Sequence, residues 1–231
     1  MARMSEEQLR HFLAVGRYTP DAERTIRRIR DEVASRKVQG NFSNVTGRYP
    51  SKKMGFPIQF ESRNVELPFV HEYERDDDVI EFYDQPFPIK LSWESLNLQR
   101  IVSYFTTPDF FIIRRDGTAG WEECKPEEKL VELAKKSRRF VQMADGSWSS
   151  PAGEEYAASL GLYYRVRTSA EIDYTVLRNI SYLFEYMRDD KTEIPEETVC
   201  RVKSIVAAFQ GITLSELYAK LEGYNEEPQF Q

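Results

Sequence analysis

The sequence predicts an α/β protein, a small mixed sheet flanked by helices. Two observations lead to this prediction. Segments with the apolar spacing of helices alternate along the chain with short aromatic and β-branched segments that are bounded by turn residues. In addition, 41% of the 231 residues are hydrophobic, which is enough for a substantial core. We therefore expect a globular protein.

The first 56 residues are predicted to form a basic arm of two helices and a loop. Ser5 and Gln8 have the spacing of a capping box, and Thr19 is expected to cap the second helix. Residues 1–56 carry 12 Lys and Arg against 6 Asp and Glu, whereas the remainder of the chain carries 20 against 32. Such an arm is suited to lie along phosphates, although a solvated helix face explains the same composition.

The middle of the chain, residues 57–192, is predicted to hold the sheet. Its first helix begins near residues 62–64 and places Glu66 in the first turn. Strands are then predicted at 78–95, 100–115, 120–125 and 162–172, helices at 127–144 and 173–190, and a solvated loop at 144–161. Two prolines place the first of these strands near a sheet edge, and the turn Asp116-Gly117 joins the second strand to the third.

The last segment, residues 193–231, is predicted to form a small helix-turn-helix-like module. Its turn is expected at Gly211, and Thr213 is expected to cap its second helix. The sequence ends soon afterwards, so this module is either minimal or cut short.

The composition excludes several classes of protein. No apolar run approaches the roughly 18 residues of a membrane span, and the N-terminus lacks the apolar region of a secretory signal, so we expect a cytoplasmic protein without a membrane partner. Cys124, Cys200, His11 and His71 are too few for a disulfide framework or a Cys/His zinc site. A bound metal must therefore be held by carboxylates.

The strongest functional signal is the stretch TPDFFIIRRDGTAGWEECKPEEK, residues 107–129. Asp109 begins one apolar strand, while Glu123 and Lys125 lie two apart on the next and therefore share a face that Glu122 does not. A hairpin would bring both carboxylates and the ammonium together. Paired carboxylates suit Mg²⁺ that also binds substrate phosphate, and an adjacent Lys can stabilise charge in the transition state. The pattern indicates phosphodiester hydrolysis.

Simpler interpretations of these residues also exist. An Asp after a Pro is often a turn residue, and Glu-x-Lys is often an exposed ion pair of little consequence. Paired carboxylates also serve glycosidases, but that reaction has no need of an adjacent Lys. Both charged groups emerge from otherwise apolar strands, where unpaired charges are costly, and this favours a functional role.

The same residues resemble a known family. A Glu on a helix, a Val-x-x-aromatic-x-x-Gln strand, Pro-Asp-Phe and then Glu-x-Lys resemble the restriction-endonuclease-like nucleases, and most closely the TnsA endonuclease subunits of heteromeric cut-and-paste transposons. The resemblance runs from about Phe60 to Arg188 and is carried by FESRNVELPFVHEYERDDDVIEFYDQP, TPDFF and WEECKPEEK. It implies a restriction-endonuclease-like α/β core.

By motif position, the resemblance assigns catalytic roles to Glu66, Asp109, Glu123 and Lys125, with the three carboxylates as metal ligands. Some TnsA-type proteins have Gln at the position of Glu123. Glu61 competes for the helical position, but the thirteen residues from Glu66 to Val79 and the nineteen to Gln85 favour Glu66. The implied cofactor is Mg²⁺, for which Mn²⁺ can substitute.

The resemblance also implies partners and a place in a reaction. Such a subunit cuts transposon-end DNA at the 5′ ends, beside a DDE transposase subunit (TnsB-like) that acts on the 3′ ends. A AAA+ ATPase regulator (TnsC-like) is expected to contact its C-terminal region. In some elements, including certain CRISPR-associated transposons, the two nucleases are fused, and this chain is expected to be either a separate subunit or the N-terminal part of such a fusion.

Several further residues have weaker signals. Contacts to DNA phosphates are predicted for four cations near the helical acid, which a solvated loop explains equally well: Arg48, Lys52, Lys53 and Arg63. Gln85 is predicted to support the site by hydrogen bonding, against the alternative of an ordinary residue at a strand end. Cys124 is expected to be a buried small hydrophobe.

Two rival functions stay open at this point. The first is a phage or repair nuclease of the same superfamily, for which a dedicated partner surface in residues 190–231 would be the discriminating feature. The second is a non-catalytic adaptor that holds DNA through the basic arm. The presence of all four predicted catalytic residues argues against the adaptor, because a protein that only holds DNA does not need carboxylates that repel one another at one place.

Overall fold

The computed structural model describes residues 3–16, 18–32, 34, 45–188 and 194–221. It divides into two compact units, Met1–Leu177 and Arg178–Gln231. The predicted boundaries after residues 56 and 192 stay predictions. Residues 35–44, which span the end of the predicted second helix and the first part of the predicted loop, lie outside the described residues, as do residues 222–231 of the C-terminal module.

The helices and strands follow one another in a mixed order. The helices are α1 (Glu6–Gly16), α2 (Pro20–Asp31), α3 (Glu66–Arg75), α4 (Glu127–Ala134), α5 (Pro151–Ser159), α6 (Tyr174–Arg188), α7 (Glu196–Ala208) and α8 (Leu214–Leu221). The strands are β1 (Gly47–Pro50), β2 (Pro57–Phe60), β3 (Val79–Asp84), β4 (Ile89–Ser95), β5 (Arg100–Thr106), β6 (Phe110–Arg114), β7 (Ala119–Lys125), β8 (Val141–Gln142), β9 (Trp148–Ser149) and β10 (Tyr163–Thr168).

The central sheet has four strands in the order β10, β7, β6, β3. β10 runs parallel to β7, whereas β6 is antiparallel to both β7 and β3. The two inner strands are buried on both faces, which explains why β6 reads as a continuous apolar run. The predicted α/β fold with a mixed sheet, consistent with a restriction-endonuclease-like core, is confirmed.

The two N-terminal helices form as their caps predict. The backbone N–H of Ser5 donates to Gln8 Oε1 at 2.8 Å, and that of Gln8 donates to Ser5 Oγ at 3.2 Å. Thr19 Oγ1 accepts from the N–H of Ala22 at 3.1 Å. Both helices contribute buried apolar side chains to the same core as the sheet, Leu9, Phe12 and Leu13 from α1 and Ala22, Ile26 and Ile29 from α2.

The basic residues of α2 are engaged within the protein. Arg24, Arg27 and Arg28 form ion pairs with acidic residues of α1, α2 and its C-terminal end. Arg30 is buried and pairs with Glu81 on β3, with Nε to Oε2 at 2.9 Å. Several positive charges of this helix are therefore paired with carboxylates of the protein itself, and the Arg30–Glu81 pair joins the helix to the sheet.

Two predicted strands are each two separate elements. Residues 100–115 contain β5 and β6, and the break falls at Thr107, Pro108 and Asp109, because proline has no N–H for a ladder. Residues 78–95 contain β3, at the predicted sheet edge, and β4, separated by the two prolines. β4 and β5 pair with each other in a separate two-stranded ribbon.

Two further predictions for this region were wrong. The helix predicted at 127–144 ends at Ala134, because the backbone of residues 136–138 pairs with the end of β4: Leu96 N–H donates to Lys136 O and Arg138 N–H to Glu94 O. The predicted solvated loop contains α5, which begins at Pro151 in the favoured first helical position.

The second unit contains α7 and α8. Gly211 has a φ of 83° in the turn between them, a conformation that glycine adopts without strain. Thr213 and Glu216 cap α8 reciprocally, with Thr213 N–H to Glu216 Oε2 at 2.8 Å and Glu216 N–H to Thr213 Oγ1 at 3.3 Å. The predicted helix, turn and capped helix are present. No helix of the described residues is long and apolar enough to cross a membrane.

Candidate active site

Asp109 lies immediately before β6 and is 4% exposed. Its Oδ2 accepts a hydrogen bond from the backbone N–H of Cys124 at 2.7 Å and one from Lys125 Nζ at 3.2 Å. Its backbone carbonyl accepts from the N–H of Gln85 at 2.9 Å. The break in the predicted strand thus turns Asp109 toward the end of β7 and fixes it there.

Glu123 and Lys125 lie on the same side of β7, as their spacing predicts. Glu123 Oε1 is 3.2 Å from Lys125 Nζ, so this ammonium contacts the carboxylates of both Glu123 and Asp109. Glu122 points to the other side of the sheet, where Tyr73 and Arg167 contact it. The alternation along the strand therefore selects Glu123 for the site, as predicted.

Glu66 is the first residue of α3 and is 6% exposed. Its Oε2 accepts a hydrogen bond from the backbone N–H of Glu61 at 2.8 Å. Glu61 also lines the cleft, but Glu66 is the one of the two that lies on the helix, at its first position.

The four predicted catalytic residues line one cleft of about 470 Å³. Glu66 reaches it from α3, Asp109 from β6, and Glu123 and Lys125 from β7. The cleft is also bordered by Phe105, Thr106, Thr107 and Arg139. Residues that are up to 59 positions apart in the chain therefore meet at one place, from Glu66 to Lys125.

The carboxylates of the cleft differ in their ionisation. Burial and the neighbouring Asp109 raise the pKa of Glu66 to about 8. Burial also raises the pKa of Asp109, and Lys125 only partly offsets this. Glu123 is the opposite case: burial alone would raise its pKa, but Lys125 and Arg139 hold it below the ordinary value. Lys125 keeps its proton, because Asp109 and Glu123 outweigh burial and raise its pKa.

Some of the carboxylate oxygens in the cleft are suited to bind a hard divalent cation. In the described part of the chain, Asp109 Oδ1 and Glu66 Oε1 accept no hydrogen bond, whereas the second oxygen of each carboxylate is held by a backbone N–H. Two buried carboxylates that repel each other, each with one open oxygen, fit the oxygen ligands of Mg²⁺.

Glu123 does not offer an open oxygen in this arrangement. Its Oε1 contacts Lys125 and Arg139, and its Oε2 accepts from Tyr164 Oη at 2.5 Å. Accordingly, no three His, Cys, Asp or Glu side chains among the described residues are arranged to hold a metal ion. Glu66 and Asp109 fit a metal as they stand, and Glu123 requires a change of partners.

Sequence reasoning missed two residues of the site. Arg139 lies beyond the true end of α4, and its Nη2 donates to Thr106 Oγ1 at 2.8 Å and to Glu123 Oε1 at 2.9 Å. Tyr164 on β10 donates a hydrogen bond from its hydroxyl to Glu123 Oε2. A Cβ at Gly153 would lie 2.7 Å from the Tyr164 ring, so the glycine of α5 permits this close approach. Tyr164 could be placed at the site only from the parallel pairing of β10 with β7. No local pattern in the sequence around Arg139 indicates that it reaches the site.

The residues with weaker signals lie in different surroundings. Arg48 and Arg63 are exposed, on β1 and before α3 respectively. Lys52 is exposed, and its backbone N–H donates to Glu74 Oε1 at 2.8 Å. Lys53 instead donates from Nζ to the carbonyls of Tyr73, Asp76 and Val79 at 2.5 to 2.8 Å. These three bonds use the three N–H groups of the Lys53 ammonium within the protein.

Gln85 and Cys124 are both buried, and both touch the site through their backbones. Gln85 has a φ of 46° at the end of β3, where its N–H meets the carbonyl of Asp109. The contact joins the end of β3 to Asp109, and a supporting role for Gln85 in the site stays a prediction. Cys124 is 4% exposed, and burial raises the pKa of its thiol, as expected for an inert side chain.

Comparison with known protein families gives an independent result. Residues 76–169 match the family model described as TnsA-like endonuclease N terminal. The match includes Asp109, Glu123 and Lys125, whereas Glu66 precedes it. No curated protein matches the chain. Residues 76–169 are thus similar to the N-terminal domain of TnsA-like endonucleases, which supports a transposition-related nuclease.

Proposed function

We propose that this TnsA-type endonuclease cuts the 5′ ends of a transposon in a Mg²⁺-dependent reaction during cut-and-paste transposition. The observation that carries the proposal is the meeting of Glu66, Asp109, Glu123 and Lys125 in one cleft. Three carboxylates and an ammonium match the needs of phosphodiester hydrolysis, and all but Glu66 lie within the residues that match the TnsA-like family model.

The chain's own residues supply binding and charge stabilisation. Glu66 and Asp109 would hold the metal through their open oxygens, with Glu123 as the third carboxylate. Bound Mg²⁺ supplies a Lewis acid for the phosphoryl oxygen and lowers the pKa of a bound water. Lys125, kept protonated by two carboxylates at 3.2 Å, stabilises the negative charge that grows on the phosphate in the transition state.

The surroundings of the cleft orient these groups. The N–H of Cys124 and the N–H of Glu61 each fix one oxygen of a metal-binding carboxylate, so each open oxygen keeps a defined direction. Burial excludes bulk water from Asp109 and Glu123, which strengthens their interactions with cations. A DNA strand would enter past Phe105 and Thr107 at the rim of the cleft.

Partners complete the proposed reaction. A DDE transposase subunit of the TnsB type would cut the 3′ ends, and a AAA+ regulator of the TnsC type would contact the C-terminal region. The net charge of −6 supports a division of labour in which other subunits supply most of the affinity for DNA. Arg48 and Arg63, both exposed, are the cations proposed to contact DNA phosphates near α3.

The experiment is a reconstituted excision reaction in which the ends of both strands are mapped. Asp109→Ala or Lys125→Ala should abolish cuts at the 5′ ends while the transposase continues to cut the 3′ ends. Glu128→Ala and Lys129→Ala, exposed changes just beyond the site, should cut both strands normally. Undiminished 5′ cuts in the Asp109 or Lys125 variant would remove that residue from the mechanism, and retention in both would overturn the proposal.

A further inference from the structure

Arg139 occupies an unusual position beside the site. Its guanidinium carbon lies 5.0 Å from the ring centres of Trp93 and Phe140, and its side chain is 22% exposed in the cleft. Nη2 donates to Thr106 and to Glu123. The aromatic rings hold the guanidinium plane in place without using its N–H groups.

This position places Arg139 in competition with a cation for Glu123. Arg139 Nη2 is 2.9 Å from Glu123 Oε1, the same oxygen that lies 3.2 Å from Lys125 Nζ. Tyr164 takes the other oxygen. Lys125 also contacts Asp109, so its position depends on two carboxylates of the site. At the site, Arg139 contacts only Glu123 and Thr106 among the described residues.

Arg139 also has unused capacity to bind an anion. Its Nε is buried and makes no hydrogen bond to any described residue, a state that is costly for a charged donor. A guanidinium presents its donors as a planar fork that matches two oxygens of a phosphate. A phosphate in the cleft would therefore satisfy more of these donors than Glu123 and Thr106 do.

We propose that Arg139 is a substrate-operated latch: it ties up Glu123 in the absence of DNA and moves to a backbone phosphate when DNA enters the cleft, which frees Glu123 to bind a divalent cation. The latch rests on the proposed metal-dependent nuclease function and adds regulation to the same site. Its consequence is that the complete set of three carboxylates exists only when substrate is present.

The latch is tested by titrating Mn²⁺ into the full chain without DNA and following thermal unfolding. Arg139→Gln should bind Mn²⁺ at least about tenfold more tightly than wild type, because a hydrogen-bonded cation no longer competes for Glu123. Thr106→Val, which loosens Arg139 without removing its charge, should give a smaller increase of the same sign. Arg138→Gln changes the adjacent exposed arginine and should match wild type.

The same variants are then titrated with a fluorescent DNA duplex in the presence of Ca²⁺, with anisotropy as the readout. Arg139→Gln should bind DNA more weakly and with a smaller salt dependence than Arg138→Gln, because one phosphate contact is lost. Mn²⁺ binding by wild type with unchanged affinity in Arg139→Gln would overturn the latch and leave the nuclease proposal intact. Absence of Mn²⁺ binding in every variant would overturn both.

Discussion

Glu122 and Glu123 are neighbours on β7, and both are buried carboxylates surrounded by Tyr and basic side chains, but their surroundings differ. The donors to Glu122 all lie on the far side of the sheet: Tyr73 at 2.8 Å, Tyr163 at 3.0 Å, Arg114 at 3.1 Å and Arg167 at 3.2 Å. The donors to Glu123 are Tyr164, Arg139 and Lys125, and the last two line the cleft.

The comparison shows that a full set of hydrogen-bond donors does not by itself distinguish a structural carboxylate from a functional one. Around Glu122, Tyr73 comes from a helix and the other three donors from strands, so no partner can leave without disrupting packed elements. Around Glu123, Arg139 lies outside regular helix or strand and faces an open cleft. The Glu122 cluster is therefore suited to hold the fold together, whereas the Glu123 cluster is suited to exchange partners.

The largest expected effect breaks the Glu122 cluster. Arg167, which is 4% exposed, also pairs with the more exposed Glu72 and Glu171, so Glu122→Gln removes only the buried one of its three carboxylate partners. This change should lower the free energy of unfolding by about 3 kcal/mol, because a buried ion-pair partner is lost. Urea unfolding followed by circular dichroism measures the change. Glu128→Gln, at an exposed position, should stay within about 0.5 kcal/mol of wild type. A loss below 1 kcal/mol for Glu122→Gln would contradict the structural role.

The next effect concerns catalysis at the other cluster. Asp109→Asn should reduce 5′ cleavage in the complete reaction by about 10² to 10³, because a ligand for the metal that stabilises the transition state is lost. The fold should survive, since the asparagine carbonyl can still accept from Cys124 N–H. Initial rates of 5′ cleavage measure the effect, with Asp77→Asn, in the exposed turn after α3, as the matched control. Cleavage within a factor of three of wild type would be incompatible with metal binding by Asp109.

A third prediction uses the pKa difference between the clusters. The pKa of Glu66 is raised to about 8 in the folded state from an ordinary value of 4.5, so the unfolded chain ionises first as the pH rises. The free energy of unfolding should therefore fall between pH 5 and pH 8, by on the order of 2 kcal/mol for this group, in metal-free buffer. Glu66→Gln should remove that part of the slope.

The Glu122 cluster provides the contrast of opposite sign. Despite burial, Arg167, Tyr73 and Arg114 hold the pKa of Glu122 below its ordinary value, so its stabilisation is present above about pH 4.5 and is lost as the pH falls. Unfolding curves of wild type and Glu66→Gln at several pH values give the difference directly. Parallel curves across pH 5 to 8 would show that Glu66 does not titrate in that window.

The smallest expected effect sharpens the comparison. Tyr164→Phe removes one hydrogen bond to Glu123 and should lower the free energy of unfolding by about 1 kcal/mol. Cleavage should fall about tenfold, because Glu123 is less firmly oriented. Tyr163→Phe is the matched control, since it removes the corresponding bond to Glu122 and should lower stability without lowering the cleavage rate of the folded enzyme. Equal rates for the two variants would argue against an orienting role for Tyr164.

Local signals in the sequence were sufficient for much of the fold. The capping residues at Ser5, Thr19 and Thr213 act within one helical turn, so their helices begin where the sequence indicates. Alternation along β7 was sufficient to distinguish Glu123 from Glu122, because a strand points its side chains to alternate faces. Asp109 and Lys125 were predicted from the spacing along the strands and Glu66 from the resemblance, and all three line one cleft.

The errors all involve tertiary contacts. The end of α4 is set by pairing of residues 136–138 with β4, and no residue inside the predicted helix announces that partner. Because α4 ends at Ala134, Arg139 lies outside the helix and reaches the site. The prediction of a helix to residue 144 therefore gave no indication of this role. The ammonium of Lys53 is surrounded by three backbone carbonyls near the end of α3, a tertiary contact that the charge of this residue does not indicate.

The parallel pairing of β7 with β10 has a consequence for biosynthesis. Trp121 pairs with Tyr164, and the intervening chain includes α4 and α5, so the strand that holds Glu123 is joined by its neighbour only after both helices have been made. At about 5 to 20 residues per second, a ribosome needs roughly 2 to 8 s to extend the chain from Lys125 to Tyr164. A nascent or prematurely terminated chain that ends before β10 thus contains every proposed catalytic residue and still lacks the arrangement that orients Glu123. The order of synthesis therefore delays the complete arrangement of the proposed active site until β10 has been made.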